Sequence, residues 1–385
     1  MSDSIVKRLG ELAFTFFKLG VIGFGGPAAH IAMMQDEVVD RKHWLTREHF
    51  LDLVGATNLI PGPNSTEMAI HVGYVRAGWL GLVIAGVCFI CPAVLLTAAF
   101  AWVYVQFGTL PALAPLLYGI KPAVLAVIFG AVWKLGKTAL KKNNKLLVVG
   151  IAVAAAVFCG VSEIFALLLG GLLGMIWLKR SQSVNALLLP LSLATVTKAT
   201  ALNASLLQLG LFFLKIGCVL YGGGYVLVAF LQGELVDDLG WLTQQQLLDA
   251  IAIGQFTPGP VLSTATFIGY VIAGFPGAVV ATMGIFLPSF VFVALLNPLI
   301  PRLRSSVWMS AFLDAVNISS VALMVVVTIE LASAIILPSL KFDWVAALIA
   351  ISSAILLVRY RINAAWIVLG SAVIGWILTG VGIRE

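Results

Sequence analysis

Long apolar runs alternate with short polar stretches from one end of the chain to the other. Runs of about 20 apolar residues between polar loops are the pattern of a polytopic helical membrane protein. Two kinds of run carry internal breaks. Residues 12–34 are apolar but interrupted by Gly23-Phe24-Gly25-Gly26-Pro27, which predicts a bent or re-entrant segment in place of a straight helix. After the polar loop Gln35-Asp36-Glu37-Val38-Val39-Asp40-Arg41-Lys42-His43, Thr46 is placed to cap a helix starting at Arg47. That helix runs into Pro61-Gly62-Pro63, whose prolines remove backbone donors and end it. A second half-helix is expected over about residues 64–75, with Arg76 at a polar edge. Four uninterrupted spans follow near residues 80–107, 113–133, 146–158 and 164–178, the third short for a crossing.

The rest of the chain repeats this plan. Lys18, Gly25-Gly26, Gln35, Glu37, Trp44-Leu45-Thr46, Asp52 and Pro61-Gly62-Pro63 recur 197 residues later. Their counterparts are Lys215, Gly222-Gly223, Gln232, Glu234, Trp241-Leu242-Thr243, Asp249 and Pro258-Gly259-Pro260. Past the break the offset falls to 196, aligning Gly73-Tyr74 with Gly269-Tyr270 and Pro92 with Pro288. This is an internal duplication: residues 1–180 and 202–385 are the repeats, and the weakly polar 181–201 is the connector. Spans of the second repeat fall near residues 277–296, 307–328, 344–357 and 366–378.

Loop charge sets the orientation. The first repeat's loop holds Arg41, Lys42 and Arg47, whereas its counterpart, residues 234–241, holds no Lys or Arg. Positive residues mark the cytoplasmic side. With the first loop inside and the second outside, Arg76, Lys134, Lys137, Lys141, Lys142, Lys145, Lys179 and Arg180 all fall inside, as do Arg302, Arg304, Arg359 and Arg361. The expected fold is therefore an all-α polytopic membrane protein whose two homologous halves form an inverted-topology repeat. Each half has broken or re-entrant helices at its Gly-Gly and Pro-Gly-Pro motifs and about four spanning helices. The chain has to change sides on entering the second repeat, and residues 202–231 are the stretch expected to do so.

Composition narrows the function. Hydrophobic residues make up 61% and charged residues 10% of 385, with mean hydropathy +1.06, far from the roughly 25% charged of soluble domains. The net charge of +6 is spread over short loops, so no nucleic-acid partner is expected; the partner is the lipid bilayer. Cys88 and Cys91 form a C-x-x-C within an apolar run, with Cys159 and Cys218 far off, and read as small hydrophobes and not as a metal or redox site. Residues 1–8 lack the ordered regions of a cleaved signal. No Walker motif, nucleophile elbow or metal-ligand spacing is present, so neither a cofactor nor catalysis is expected and any transport is driven by gradients.

Paired inverted repeats with broken helices point to a secondary transporter with its site at the repeat interface. A helix starting near Asn64 offers free amides and a positive dipole end to an anion, with Asn64, Ser65 and Thr66 beside it; Ser263 and Thr264 stand at the equivalent start. The backbone at Pro61, Gly62, Pro63, Pro258, Gly259 and Pro260, and at Gly25, Gly26, Gly222 and Gly223, completes the candidate anion site. Lys18 and Lys215 sit at matching apolar positions, where an ionisable group is a functional candidate, with snorkelling to the interface as the alternative. Glu67 and His71, four apart on one helix face, are candidates for proton coupling, though the second repeat has no titratable match. Glu37 is a further candidate, placed to pair with Lys18 or Arg41.

Phe17-Lys18-Leu19-Gly20, Phe24-Gly25-Gly26-Pro27, Gln35-Asp36-Glu37 and Pro61-Gly62-Pro63-Asn64-Ser65-Thr66-Glu67 resemble the chromate ion transporter family in its long two-domain form. Tyr221-Gly222-Gly223-Gly224-Tyr225 and Gln255-Phe256-Thr257-Pro258-Gly259-Pro260 resemble that family's C-terminal domain. The resemblance covers nearly the whole chain. It implies export of chromate from the bacterial cytoplasm across the inner membrane, chromate resistance, and sulfate as a similar tetrahedral dianion. The residues themselves reach a gradient-driven transporter of an oxyanion. A sulfate transporter or a passive channel with two re-entrant pore loops stays open, as does a homodimer.

Overall fold

The computed structural model describes residues 5–108, 114–140, 143–179, 205–296, 306–338 and 341–380. The connector 181–201, and Lys141, Lys142, Arg180, Arg302 and Arg304, lie outside them. The described residues form fourteen helices and no strand. In the first half, α1 (Ile5–Ile22) turns at Gly23–Gly26 into α2 (Pro27–Gln35), which a wider π turn (Asp36–Arg41) extends. α3 (Arg47–Thr57) leads through the Pro-Gly-Pro break into α4 (Asn64–Phe107). Then come α5 (Ala114–Leu140), α6 (Asn144–Phe158) and α7 (Glu163–Lys179).

The second half mirrors this order. α8 (Leu206–Val219) is followed by a 3-10 turn (Gly224–Val226), α9 (Leu227–Phe230) and a π turn (Leu231–Asp238). α10 (Gln244–Phe256) leads through the second break and a 3-10 turn (Val261–Ser263) into α11 (Thr264–Leu296). α12 (Val307–Ile336), α13 (Trp344–Val358) and α14 (Ala364–Gly380) complete the chain. Thr46 and Thr243 cap α3 and α10, accepting from the amides of His49 and Gln246, as the Trp-Leu-Thr repeat predicts.

Each half opens with two helical hairpins. Lys18 pairs with Glu37 at 3.3 Å, and Leu12, Phe16, Met34 and Val38 share one buried cluster, so α2 runs back along α1. The second hairpin joins α3 to the first limb of α4. α4 is not one rod: Ala77 (φ −147°, ψ 24°) and Gly78 (φ 63°, ψ −147°) leave the helical region and fold it back. Gly73 then packs against Gly81, where a Cβ on either would strike backbone. Ala273 (φ −141°, ψ 25°) and Gly274 (φ 63°, ψ −156°) turn α11 in the same way, with Gly269 against Gly277. The duplication is thus reproduced down to single dihedral angles. Small residues at such crossings are what allow close backbone packing in an apolar solvent.

Helices long and apolar enough to cross a membrane fall at Asn64–Phe107, Pro115–Leu140, Val261–Leu295 and Val307–Ile336, at matching places in the two halves. Apolar helices of 15 and 17 residues, α6, α7, α13 and α14, surround them. The halves are antiparallel: Leu82 groups with Val293, and Gly86 abuts the Phe290 ring. Since equivalent helices run in opposite senses, the two-fold relating them lies across the helices, as an inverted repeat requires. The terminal hairpins cross over. α6 and α7 pack on α12 of the second half, while α13 and α14 pack on α5 of the first. Lys179 stacks over Trp308 at the start of α12, on the face where α1 also starts, and α8 starts on the other. Of the stretch 202–231 expected to change sides, residues 202–204 lie outside the described residues.

Candidate functional site

The two breaks are tied to the opposite halves by mirrored hydrogen bonds. The Gly62 amide donates to the Leu220 carbonyl at 2.8 Å, and the Gly259 amide donates to the Gly23 carbonyl at 2.7 Å. Prolines on both sides supply no donor, so the glycine N–H is the one that reaches across. Gly62 (φ 139°) and Gly259 (φ 87°) occupy backbone regions that side chains disfavour. Each break therefore meets the Gly-rich turn that ends the other half's first helix.

The surroundings of the two breaks differ. At the first, Ser65, Thr66, Glu67 and His71 are all buried, and Asn64 donates its side-chain amide to Asn58 at 2.8 Å. Gly62 sits against the Glu67 carboxylate and the Ser289 hydroxyl of the second half. At the second, the Thr97 hydroxyl of the first half lies 3.3 Å from Thr257 and 3.2 Å from Ser263, and Thr264 donates to the Val261 carbonyl at 2.8 Å. The residue lost after Pro260 is absorbed by the Val261–Ser263 3-10 turn, which advances the chain with fewer residues per turn.

Lys18 and Lys215 pair with Glu37 and Glu234 in the two first hairpins. Both lysine side chains are about half exposed, while the carboxylates are largely buried. Glu37 also lies 3.8 Å from Lys42 and 4.0 Å from Arg41. These matching pairs stand apart from the cavity described next.

A cavity of 960 Å³ opens between the halves, at the upper end of the size of small-ligand sites, about 300–1,000 Å³. One wall is residues 23–29, including Gly25 and Gly26; another is the end of α5; a third is α10 with Thr257 and Gly259 of the second break. The turn from α13 to α14 closes its rim. Lys134, Lys137 and Arg361 line it, and among the described residues no Asp or Glu does. Gly26 has φ 79°, and a Cβ there would meet nothing within 4 Å, so open space adjoins the start of α2. Of the residues expected at the site, the cavity brings together Gly25, Gly26 and Gly259; Pro61–Pro63, Gly222, Gly223 and the two lysines lie away from it. Tyr225, Gln255, Lys134, Lys137 and Arg361 are the lining residues that sequence reasoning missed. The basic three were legible only as topology markers, and Gln255 only as part of a resemblance.

The opposite face is acidic. Glu163 lies against Gly233, within electrostatic range of Glu234, Asp237 and Asp238. Burial raises the Asp237 carboxyl above its ordinary range, partly offset by the Gln232 amide, which donates to it at 3.0 Å. Among the described residues, no three His, Cys, Asp or Glu side chains are grouped to hold a metal.

The chain matches the family model described as Chromate transporter twice, over residues 10–175 and 207–376. It is similar to a chromate transport protein of Cupriavidus metallidurans, with 33% identity over 95% of this chain and 92% of that one. It is likewise 32% identical to a chromate transport protein of Pseudomonas aeruginosa, over 96% and 92% of the two chains. A probable chromate transport protein of Synechococcus elongatus is 32% identical over 83% and 84%. No solved structure matches. Two family matches, one on each side of the connector and each covering one arm of the inverted repeat, identify the chain: it belongs to the chromate transporter family.

Proposed function

We propose that this chain is a secondary active transporter that exports chromate across the bacterial inner membrane and so confers chromate resistance, with sulfate as a second substrate. The observation that carries this reading is the cavity: an electropositive vestibule, with no carboxylate among its described lining residues, leading from one face to the second break at Gly259. Its mouth holds Lys134, Lys137 and Arg361, which the distribution of Lys and Arg assigns to the cytoplasm. A dianion is drawn to such a mouth, whereas the opposite, acidic face resists its return. The hairpin tips at 23–26 and 58–63 then act as re-entrant elements reaching the middle of the bilayer, the arrangement in which broken helices present substrate sites.

In this reading residues 1–180 and 202–385 are the transport repeats. Gly25, Gly26 and the two Pro-Gly-Pro breaks, with Asn64, Ser65, Thr66, Ser263 and Thr264, shape the path. Lys18 and Lys215, held by Glu37 and Glu234, supply charge at its ends. Glu67, buried between Gly62 and Ser289, with His71 one turn on, carries the coupling proton. Cells expressing the protein are expected to accumulate less radiolabelled chromate and to grow at higher chromate concentrations than cells without it. Equal accumulation at confirmed membrane expression would contradict the reading.

A further inference from the structure

We propose that the wall of the cavity is a built seat for one tetrahedral dianion, formed by the amides of Ala28 and Ala29, the side chain of Gln255 and the cations Lys134, Lys137 and Arg361. This rests on the transport reading above and names the residues that hold the ion.

Three asymmetries between the halves mark the seat. The first is at α2. Gly26 provides no side-chain cap, Pro27 has no donor, and the first amide bonded inside the helix is that of His30, to Gly26 at 3.1 Å. The amides of Ala28 and Ala29, residues that line the cavity, come before it and are left as donors. In the other half the equivalent turn closes on itself, the Val226 amide donating to Gly223 at 3.1 Å.

The second is Gln255. Its Oε1 accepts from the Tyr225 hydroxyl at 3.2 Å, which fixes the amide so that Nε2 is the remaining donor, and Nε2 is buried without a hydrogen-bond partner. Its counterpart, Asn58, is satisfied, donating to the Val54 carbonyl at 3.1 Å and accepting from Asn64. A buried donor left unmade is costly, and a ligand acceptor would complete it.

The third is Arg361. It adopts φ 56°, in the left-handed region, where an L side chain is strained. The equivalent turn from α6 to α7 uses Gly160, at φ 88°, for the same purpose. An arginine thus occupies a glycine position in a turn that lines the cavity. Among the described residues, Lys134, Lys137 and Arg361 form no ion pair; Lys137 only stacks over Trp133. Amide donors at a helix start, a primary amide and cations, with no carboxylate among the described lining residues, suit an anion whose oxygens all accept.

The test measures equilibrium binding of radiolabelled chromate and sulfate to the purified full chain, and separately chromate flux in proteoliposomes. Gln255→Leu is expected to weaken binding and raise KM by about tenfold or more, the loss typical of a charge-assisted hydrogen bond. Arg361→Gly should also raise KM and flatten the salt dependence of flux, while its unfolding midpoint holds or rises because strain is relieved. Wild-type binding and KM in both variants would overturn the seat; if Gln255→Leu does not fold, Arg361→Gly decides alone. A wild-type chain that binds sulfate through Gln255 but moves no chromate would keep the seat and sink the transport reading.

Discussion

At Gly62 and Gly26 the presence of one hydrogen in place of a methyl decides different things. Gly62 has φ 139°, and an added Cβ would lie 2.6 Å from the Ser289 hydroxyl and against Glu67. Gly26 has φ 79° and empty space where a Cβ would go. Gly62→Ala therefore combines strain with a clash between the halves and is expected to lower stability by about 3 kcal/mol or more. Gly26→Ala carries strain alone, about 1–2 kcal/mol. Thermal unfolding in detergent should rank the two in that order; equal midpoints would contradict the packing at Gly62. The breaks stood out in the sequence because two prolines flanking a glycine remove backbone donors on both sides of it. Glu37 was legible as a partner for Lys18 or Arg41, of which the structure shows the pair with Lys18 at 3.3 Å and Arg41 at 4.0 Å. Gln255 was not, because a polar side chain declares itself a free donor only when its neighbours are placed.

Between elements, glycines separate those that touch from those that do not. Gly119 of α5 faces Ser371 and Gly375 of α14, where a Cβ would strike backbone that cannot yield. Gly136 of the same helix has only Val321, at 3.7 Å, an ordinary contact. Inside a helix, Gly to Ala is favourable by about 1 kcal/mol when there is room. Gly136→Ala should therefore raise the unfolding midpoint and Gly119→Ala should lower it; a rise in both would remove α14 from its place on α5. The helices themselves were legible from apolar run length, and the half-helix ending near Arg76 was read from that charge. The reversal of direction at Ala77–Gly78 was not, because a polar edge marks where a helix ends and not which way the chain then turns. Nor could periodicity assign the crossed terminal hairpins, since an all-apolar helix does not say which neighbour it packs on.

Over the whole molecule, the loop charges carried the inverted repeat, and the structure reproduces it in antiparallel halves, paired π turns and the reciprocal Gly62 and Gly259 hydrogen bonds. What the duplication hides is the departure from symmetry. The sequence placed the polar chemistry at the first break, where Asn64, Glu67 and His71 lie, yet the cavity reaches the second, at Gly259. An exchange of roles between the halves would open the other side, with Glu67 and Ser289 at the seam that has to move. The most direct measurement is chromate flux into proteoliposomes under a pH gradient, with the membrane potential clamped at zero. Proton-coupled transport predicts that the pH gradient alone drives chromate up its concentration gradient. Flux that runs only downhill and ignores the pH gradient would contradict coupled transport and leave a passive channel.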